Sequence, residues 1–178
     1  MEEDRRPAAP ASADAIAAAE RTMGVELPAD LRVMYEVADG DGDDGIFEGR
    51  VWLPLEEVVQ AHEGHRRRVW FGWNLGWNAV VFDADPPETV RRCTGHPGWI
   101  PFAYDYGGNY LAVDMSPARA GRPGQVIAIG RDHEKGPALV AGSVTDLLGD
   151  YLDLWTAATT TLVPAIWISR VSGRPGAG

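Results

Sequence analysis

Apolar positions recur along this chain with a helical period near both ends and with a strand-like period in between. Ala13 to Met23 is alanine-rich, follows Ser12 and stops at Gly24, the pattern of a helix with a side-chain cap at its start. Leu31, Met34, Tyr35 and Ala38 then fall at helical spacing just after Pro28, a residue that a first helical turn tolerates. Residues 29–38 are therefore predicted to form a second, amphipathic helix. Asp39 to Gly45 contains only aspartate and glycine and reads as a loop. Ile46-Phe47 and Val51-Trp52-Leu53 flank Glu48-Gly49 in a hairpin-like arrangement. Leu55 to His62 follows Pro54 as a short helix with Leu55, Val58 and Val59 on one side.

Val69 to Phe82 is aromatic and β-prone, interrupted by Gly72 and Gly76 and closed by a turn over Asp83 to Pro87. Trp99 to Ala103, Tyr110 to Asp114 and Gln125 to Ile129 are the strongest strands, and Ala138 to Ala141 is a weaker one. Ser143 caps a last helix, Val144 to Trp155, whose stripe is Leu147, Leu148, Tyr151, Leu152 and Trp155. Helices come first and last with strands between them. This order predicts an α+β fold, a central mostly antiparallel sheet flanked by N-terminal helices and a C-terminal helix. Residues 1–11 read as a flexible leader, 12–155 as the domain, and 156–178 as a C-terminal appendage open to disorder.

Composition narrows the function classes. The 178 residues suit one domain, and 45% hydrophobic residues suit a globular one. Cys93 is the sole cysteine, so no internal disulfide forms, as expected of a reducing compartment. The sequence begins Met-Glu-Glu-Asp, the wrong sign for the basic start of a secretory signal, and the expected location is the cytoplasm. The longest apolar run near the end, Leu162 to Ile168, is broken by Pro164 and too short to span a bilayer. A net charge of −10 argues against nucleic acid as partner, because phosphates must be met by positive surface. It favours encounter with a basic protein, although acidity also serves solubility alone.

Candidate chemistry is sparse. Asp39 to Gly45 resembles a calcium loop only in part: an EF-hand register from Asp39 needs glycine where Asp44 stands and glutamate where Arg50 stands. A solvated turn is the plainer reading. His62-Glu63-Gly64-His65 brings its second histidine one residue too early for a helical zinc motif. His62, His65, Cys93 and His96 could form a four-ligand set, but His96 sits in an ordinary Gly-His-Pro-Gly turn. Arg91-Arg92 could activate Cys93, yet the sequence assigns it no base. No nucleophile elbow and no phosphate loop is present. The sequence implies no metal, no cofactor and no enzyme. Trp70, Trp73 and Trp77 are either sheet core or a binding surface.

The segment Gly98 to Asp114, Gly-Trp-Ile-Pro-Phe-Ala-Tyr-Asp-Tyr-Gly-Gly-Asn-Tyr-Leu-Ala-Val-Asp, resembles the core motif of the Smi/Knr branch of the SUKH superfamily. That motif is an apolar strand ending in Pro-Phe-Ala, an acidic residue, glycines, a polar residue, and a second strand ending in Asp. Leu27 to Leu31 with Asp39-Gly40, Leu53 to Val58, Gly124 to Ile127 and the Ser143 to Trp155 helix match the family's flanks in order. Tyr106 departs from the pattern, standing where glycine or a small residue is usual. In the motif, Trp99, Pro101, Phe102, Gly107, Gly108 and Asp114 read as structural. Asp105 and Asn109 can bond the turn's own backbone.

The resemblance implies contact rather than catalysis. Bacterial members look like immunity proteins that neutralise toxins, and fungal ones like regulators of cell-wall synthesis. The leading expectation is a protein-binding domain that neutralises a polymorphic toxin. The alternative is a regulatory scaffold without a toxin, and a small enzyme built on Cys93 or Asp105 is a third reading. The expected partner is a protein, such as a basic toxin domain, with neither nucleic acid nor membrane involved and no oligomeric state fixed. The expected contacts are Asp41, Asp43, Asp44, Trp73, Trp77, Asp105, Tyr106 and Asn109.

Overall fold

The computed structural model describes residues 8–41, 46–47, 49–67, 81–133, 136–154 and 156, with the side chains of 65–67 excepted. Helix α1, Ala13–Met23, opens where the Ser12 hydroxyl accepts the Ala15 amide at 3.1 Å, which satisfies one of the four free N–H groups of a helix start. It ends at Gly24, in the left-handed conformation, whose amide bonds the Glu20 carbonyl. The Glu20 carboxylate then accepts the Leu27 amide and pairs with Arg32, which fixes the entry to helix α2, Ala29–Val37. Tyr35 of α2 is fully buried and donates its hydroxyl to the Leu53 carbonyl at 2.8 Å.

Strand β1, Val51–Trp52, leads into helix α3, Leu55–Arg67. Strands β2, Trp99–Tyr104, β3, Asn109–Asp114, β4, Gln125–Gly130, and β5, Ala138–Ala141, complete a five-stranded antiparallel sheet in the order β1-β2-β3-β4-β5. A 3-10 turn, Arg131–His133, follows β4, and helix α4 covers residues 144–154. The Ser143 hydroxyl caps α4 by accepting the Asp146 amide at 3.0 Å. The α+β expectation is met, and so are the expected helices and the four principal strands, within one or two residues at most ends. The exception is α3, which runs five residues past its expected end at His62. Val69 to Phe82, expected to be β-prone, lies almost wholly outside the described residues.

Successive strand residues point to opposite faces, and here both faces are covered. One face carries Ile100, Phe102, Leu111, Val113, Val126 and Ala128, packed with the apolar sides of the helices through Ile16, Leu31, Val58 and Leu147. Phe102 meets Phe47 edge-on, with ring centroids 5.6 Å apart. The other face carries Trp99, Ala112, Ile127 and Ile129, closed by Ala84 and Val90 from the segment before β2. With both faces covered, alternation along these strands marks no exposed face: β2 and β4 are buried at every position but their last. Pro101 lies at a register shift between Pro101 and Ala103, a position where a strand tolerates a residue without an N–H. Among the described residues no helix is long and apolar enough to cross a membrane.

Candidate functional site

The Gly98 to Asp114 motif folds as the β2–β3 hairpin, and its turn is held by a closed polar network. Asp105 Oδ1 accepts the amides of Gly107 and Asn109 at 2.7 and 2.9 Å. Asp105 Oδ2 accepts Asn109 Nδ2 at 2.6 Å. The same Asn109 Nδ2 donates to Asp132 at 2.8 Å, and Asn109 Oδ1 accepts the Asp132 amide at 2.8 Å. Asn109 is thus buried with both ends of its amide engaged. Partial burial acts to raise the Asp105 carboxyl. The hydrogen bonds from Asn109 and Gly107, helped by the Arg50 guanidinium, outweigh it and hold the carboxyl below its ordinary value. Burial and the same Arg50 push the His133 imidazole down.

Two residues of this turn have positive φ, Tyr106 at 57° and Gly108 at 104°. Gly108 suits that conformation. Tyr106 does not, since a left-handed backbone brings Cβ against the following carbonyl. This explains why the resembled motif has glycine or a small residue at that place. The Tyr106 side chain is 70% exposed and stands edge-on to Tyr104, with centroids 5.3 Å apart. Tyr104 in turn stacks on its cross-strand partner Tyr110, at 4.5 Å and 24°. Gly130 closes the network from β4. A Cβ there would lie 2.3 Å from the Gly108 carbonyl oxygen.

Beside the tyrosines runs an open groove of about 590 Å³. Tyr104 and Tyr110 form one side, Glu56, Glu57 and Gln60 of α3 the other, and Leu53 and Pro54 contribute apolar surface. Glu56 and Glu57 are exposed and occupy the first turn of α3, where the helix dipole favours carboxylates. Asp39 also lines the groove, but its carboxylate accepts the Leu55 amide at 2.7 Å and so helps to start α3.

The expected contact residues divide between fold and surface. Asp41 accepts the amides of Ile46 and Trp52 at 2.6 and 2.9 Å and thereby ties its loop to β1. Asp43, Asp44, Trp73 and Trp77 lie outside the described residues. Asp105 and Asn109 belong to the turn network, and Tyr106 stands at its exposed tip. Trp99, Phe102 and Asp114 are buried. The groove, with Glu56, Glu57, Tyr104 and Tyr110, was not among the expected contacts. A cross-strand signal was nonetheless present: a hairpin turning over Asp105 to Asn109 necessarily places Tyr104 beside Tyr110.

The alternative chemistries find their residues otherwise engaged. His62 is buried with Nε2 2.8 Å from the Pro97 carbonyl oxygen, and His96 Nδ1 accepts the Gly98 amide at 3.0 Å. Among the described residues no three His, Cys, Asp or Glu side chains converge as a metal site would require. Burial pushes the Cys93 thiol up, the direction opposite to that of an activated nucleophile.

Known proteins place the chain. It is 35% identical over 133 residues to a cell wall biosynthesis and cell cycle regulator of Schizosaccharomyces pombe, covering 68% of this chain and 26% of that protein. It is 30% identical over 148 residues to a glucan synthesis regulatory protein of Neurospora crassa, covering 65% and 28%. A cell wall assembly regulator of Saccharomyces cerevisiae is 25% identical over 158 residues, covering 70% and 31%. The chain therefore spans roughly a quarter to a third of the length of these relatives. Their descriptions favour the regulatory alternative over the toxin-neutralising expectation. The model of the SMI1/KNR4 family (SUKH-1) matches residues 10–150, and the chain belongs to that family.

Proposed function

We propose that this domain is a non-catalytic protein-binding module, a regulatory scaffold of the cell-wall assembly regulator type acting in the cytoplasm. The observation that carries the reading is the disposition of the hairpin turn. Its carboxylate and amide are spent on backbone and neighbouring side chains, which leaves no acid–base pair, while its aromatic tip faces solvent. Exposed tyrosines are common anchors of protein interfaces. Tyr106 is the first contact we assign. Asp43, Asp44, Trp73 and Trp77 are further proposed contacts, and Asp41, Asp105 and Asn109 hold the loops in which they themselves stand, beside β1 and in the turn.

The test is cross-linking in the native host followed by purification of the domain. A discrete protein partner at defined stoichiometry is expected. A domain that migrates alone under every growth condition, wall stress included, would overturn the reading. The net charge of −10 favours a second form of the same role, neutralisation of a basic toxin domain, since opposite charge speeds encounter. Co-expression with the products of neighbouring genes separates the two forms. Rescue of growth identifies a toxin, and unchanged toxicity for every candidate removes this second form.

A further inference from the structure

We infer that the groove between α3 and the Tyr104–Tyr110 pair is a docking site for an arginine-bearing segment of a partner protein, with Tyr106, edge-on to Tyr104, beside it. The inference rests on the protein-binding reading above and gives it a place and a chemistry. Three observations converge. The groove, at about 590 Å³, is large enough to take side chains of an extended segment. Its described charged side chains are all acidic, Asp39, Glu56 and Glu57. Its opposite wall is aromatic: Tyr110 stacks on Tyr104, and Tyr106 stands edge-on to Tyr104 beyond it.

Carboxylates facing tyrosine rings suit a planar cation. A guanidinium can lie over a ring face while its N–H fork reaches a carboxylate, whereas an ammonium offers only a point charge. Glu57 is the better acceptor, since Glu56 accepts a long bond from Gln60 at 3.4 Å and Asp39 is committed to the Leu55 amide. Tyr106 adds an independent argument. Its backbone is held in a left-handed conformation that glycine would adopt without strain, yet a large aromatic side chain stands there, 70% exposed. Strain retained for an exposed aromatic points to a use for that ring outside the fold.

The experiment is a fluorescence-anisotropy titration of the full chain with a short fluorescein-labelled peptide alternating arginine and serine. Matched lysine–serine and all-serine peptides serve as comparisons. Wild-type protein is expected to bind the arginine peptide, with the lysine peptide weaker by about fivefold and the serine peptide not bound. Glu57→Lys should weaken arginine-peptide binding by about tenfold and Tyr106→Gly by about fivefold. Asp153→Lys, on exposed α4 and outside the groove lining, should have little effect and separates a local site from general attraction to an acidic protein.

Equal binding of arginine and serine peptides would overturn the proposal. So would equal weakening by Glu57→Lys and Asp153→Lys, or an unchanged affinity in Tyr106→Gly with its fold intact by circular dichroism. The native cross-linked complex keeps this outcome apart from the broader reading. A partner that still assembles with Glu57→Lys and Tyr106→Gly removes the groove and leaves the binding role standing. A chain that binds the arginine peptide but has no partner in cells supports the groove and removes the role.

Discussion

Asp105 and Asp114 stand at opposite ends of the β2–β3 hairpin, and their surroundings drive their carboxyls in opposite directions. At the turn end, hydrogen bonds from Asn109 and Gly107 outweigh partial burial, and the Asp105 carboxyl is held below its ordinary value. At the open end, Asp114 is fully buried, and burial raises its carboxyl despite an amide bond from Ser116 at 2.9 Å and a contact from Gln125 at 3.1 Å. Both carboxylates accept backbone amides, so the hydrogen-bond type does not distinguish them. The difference is one of balance. Burial acts to raise both carboxyls, but at the turn the bonds from Asn109 and Gly107 with the Arg50 guanidinium outweigh it, whereas Asp114 is fully buried beside its cross-strand partner Trp99 and burial prevails. The hairpin is thus anchored at one end by an ionised group and clamped at the other by a carboxyl whose ionisation the fold resists.

The largest expected effect comes from breaking the turn end through its neighbour. Gly130 pairs with Asn109, has φ 128°, and leaves no space for a side chain: a Cβ would lie 2.3 Å from the Gly108 oxygen and 2.6 Å from Asn109 Cα. Both obstacles are backbone, so relief requires the turn to move. Gly130→Ala should cost about 4 kcal/mol, read as the loss of unfolding free energy in urea. Gly121 plays a similar part at the open end, where a Cβ would lie 2.1 Å from the Thr89 carbonyl oxygen that Gln125 also binds. A cost below about 1 kcal/mol for Gly130→Ala would mean that the turn network is not rigid.

Next in size is Asp114→Asn. An asparagine can still accept the Ser116 amide, but its own NH₂ then faces the Gln125 Nε2 donor, and one buried donor is left unmatched. The expected cost is about 2 kcal/mol. Its pH dependence carries the sign. A carboxyl raised in the folded state contributes stability fully present below its unfolded value and lost as pH rises through its folded value. The deficit of Asp114→Asn should therefore be widest in acid and narrow as the wild-type carboxyl ionises. Denaturant melts from acid to neutral pH check this, and a deficit that widens with pH would refute the assignment.

Much of this hairpin was legible in the sequence. Alternating apolar runs on either side of Asp-Tyr-Gly-Gly-Asn set strand, turn and strand, and the short polar side chains marked Asp105 and Asn109 as turn binders. The opposite fates of Asp105 and Asp114 were not legible, because they depend on what covers each carboxyl, and the covering residues come from distant segments. Asp132, which completes the Asn109 network, lies 23 positions away in a 3-10 turn. The groove was missed for a related reason. Glu56 and Glu57 read as the solvated face of a helix, and only the packing of α3 beside β2 brings them opposite Tyr104. The structural use of Asp41 was equally hidden, since its place in a run of acidic loop residues gives no sign that the carboxylate holds β1.

A smaller effect, of opposite pH sign, is expected for Asp105→Ala. The substitution strands the Gly107 and Asn109 donors, but at a site within reach of water, so about 1.5 kcal/mol is expected at neutral pH. A carboxyl lowered in the folded state contributes stability present above its unfolded value and lost as pH falls through its folded value. The deficit should therefore shrink in acid, the mirror image of Asp114→Asn. Parallel melts of the two variants give one crossing pair of pH profiles. Profiles running in the same direction would show that the two ends of the hairpin do not differ as described.

The smallest stability effect is expected where the turn is most unusual. Tyr106→Gly relieves a left-handed backbone, worth about 1–2 kcal/mol. Against this stand the extra chain entropy of an unfolded glycine, about 0.5–1 kcal/mol, and the lost edge contact with Tyr104, about 0.5–1.5 kcal/mol. These terms nearly cancel, and the unfolding midpoint should move by no more than a few degrees in either direction. That near-zero value is what makes the position informative. Asp105 and Asp114 are expected to supply stability, whereas Tyr106 is expected to supply almost none. A large loss of stability in Tyr106→Gly would return Tyr106 to the fold, beside its neighbours in the turn. A neutral variant that has lost arginine-peptide binding leaves the exposed ring with a role only at the surface.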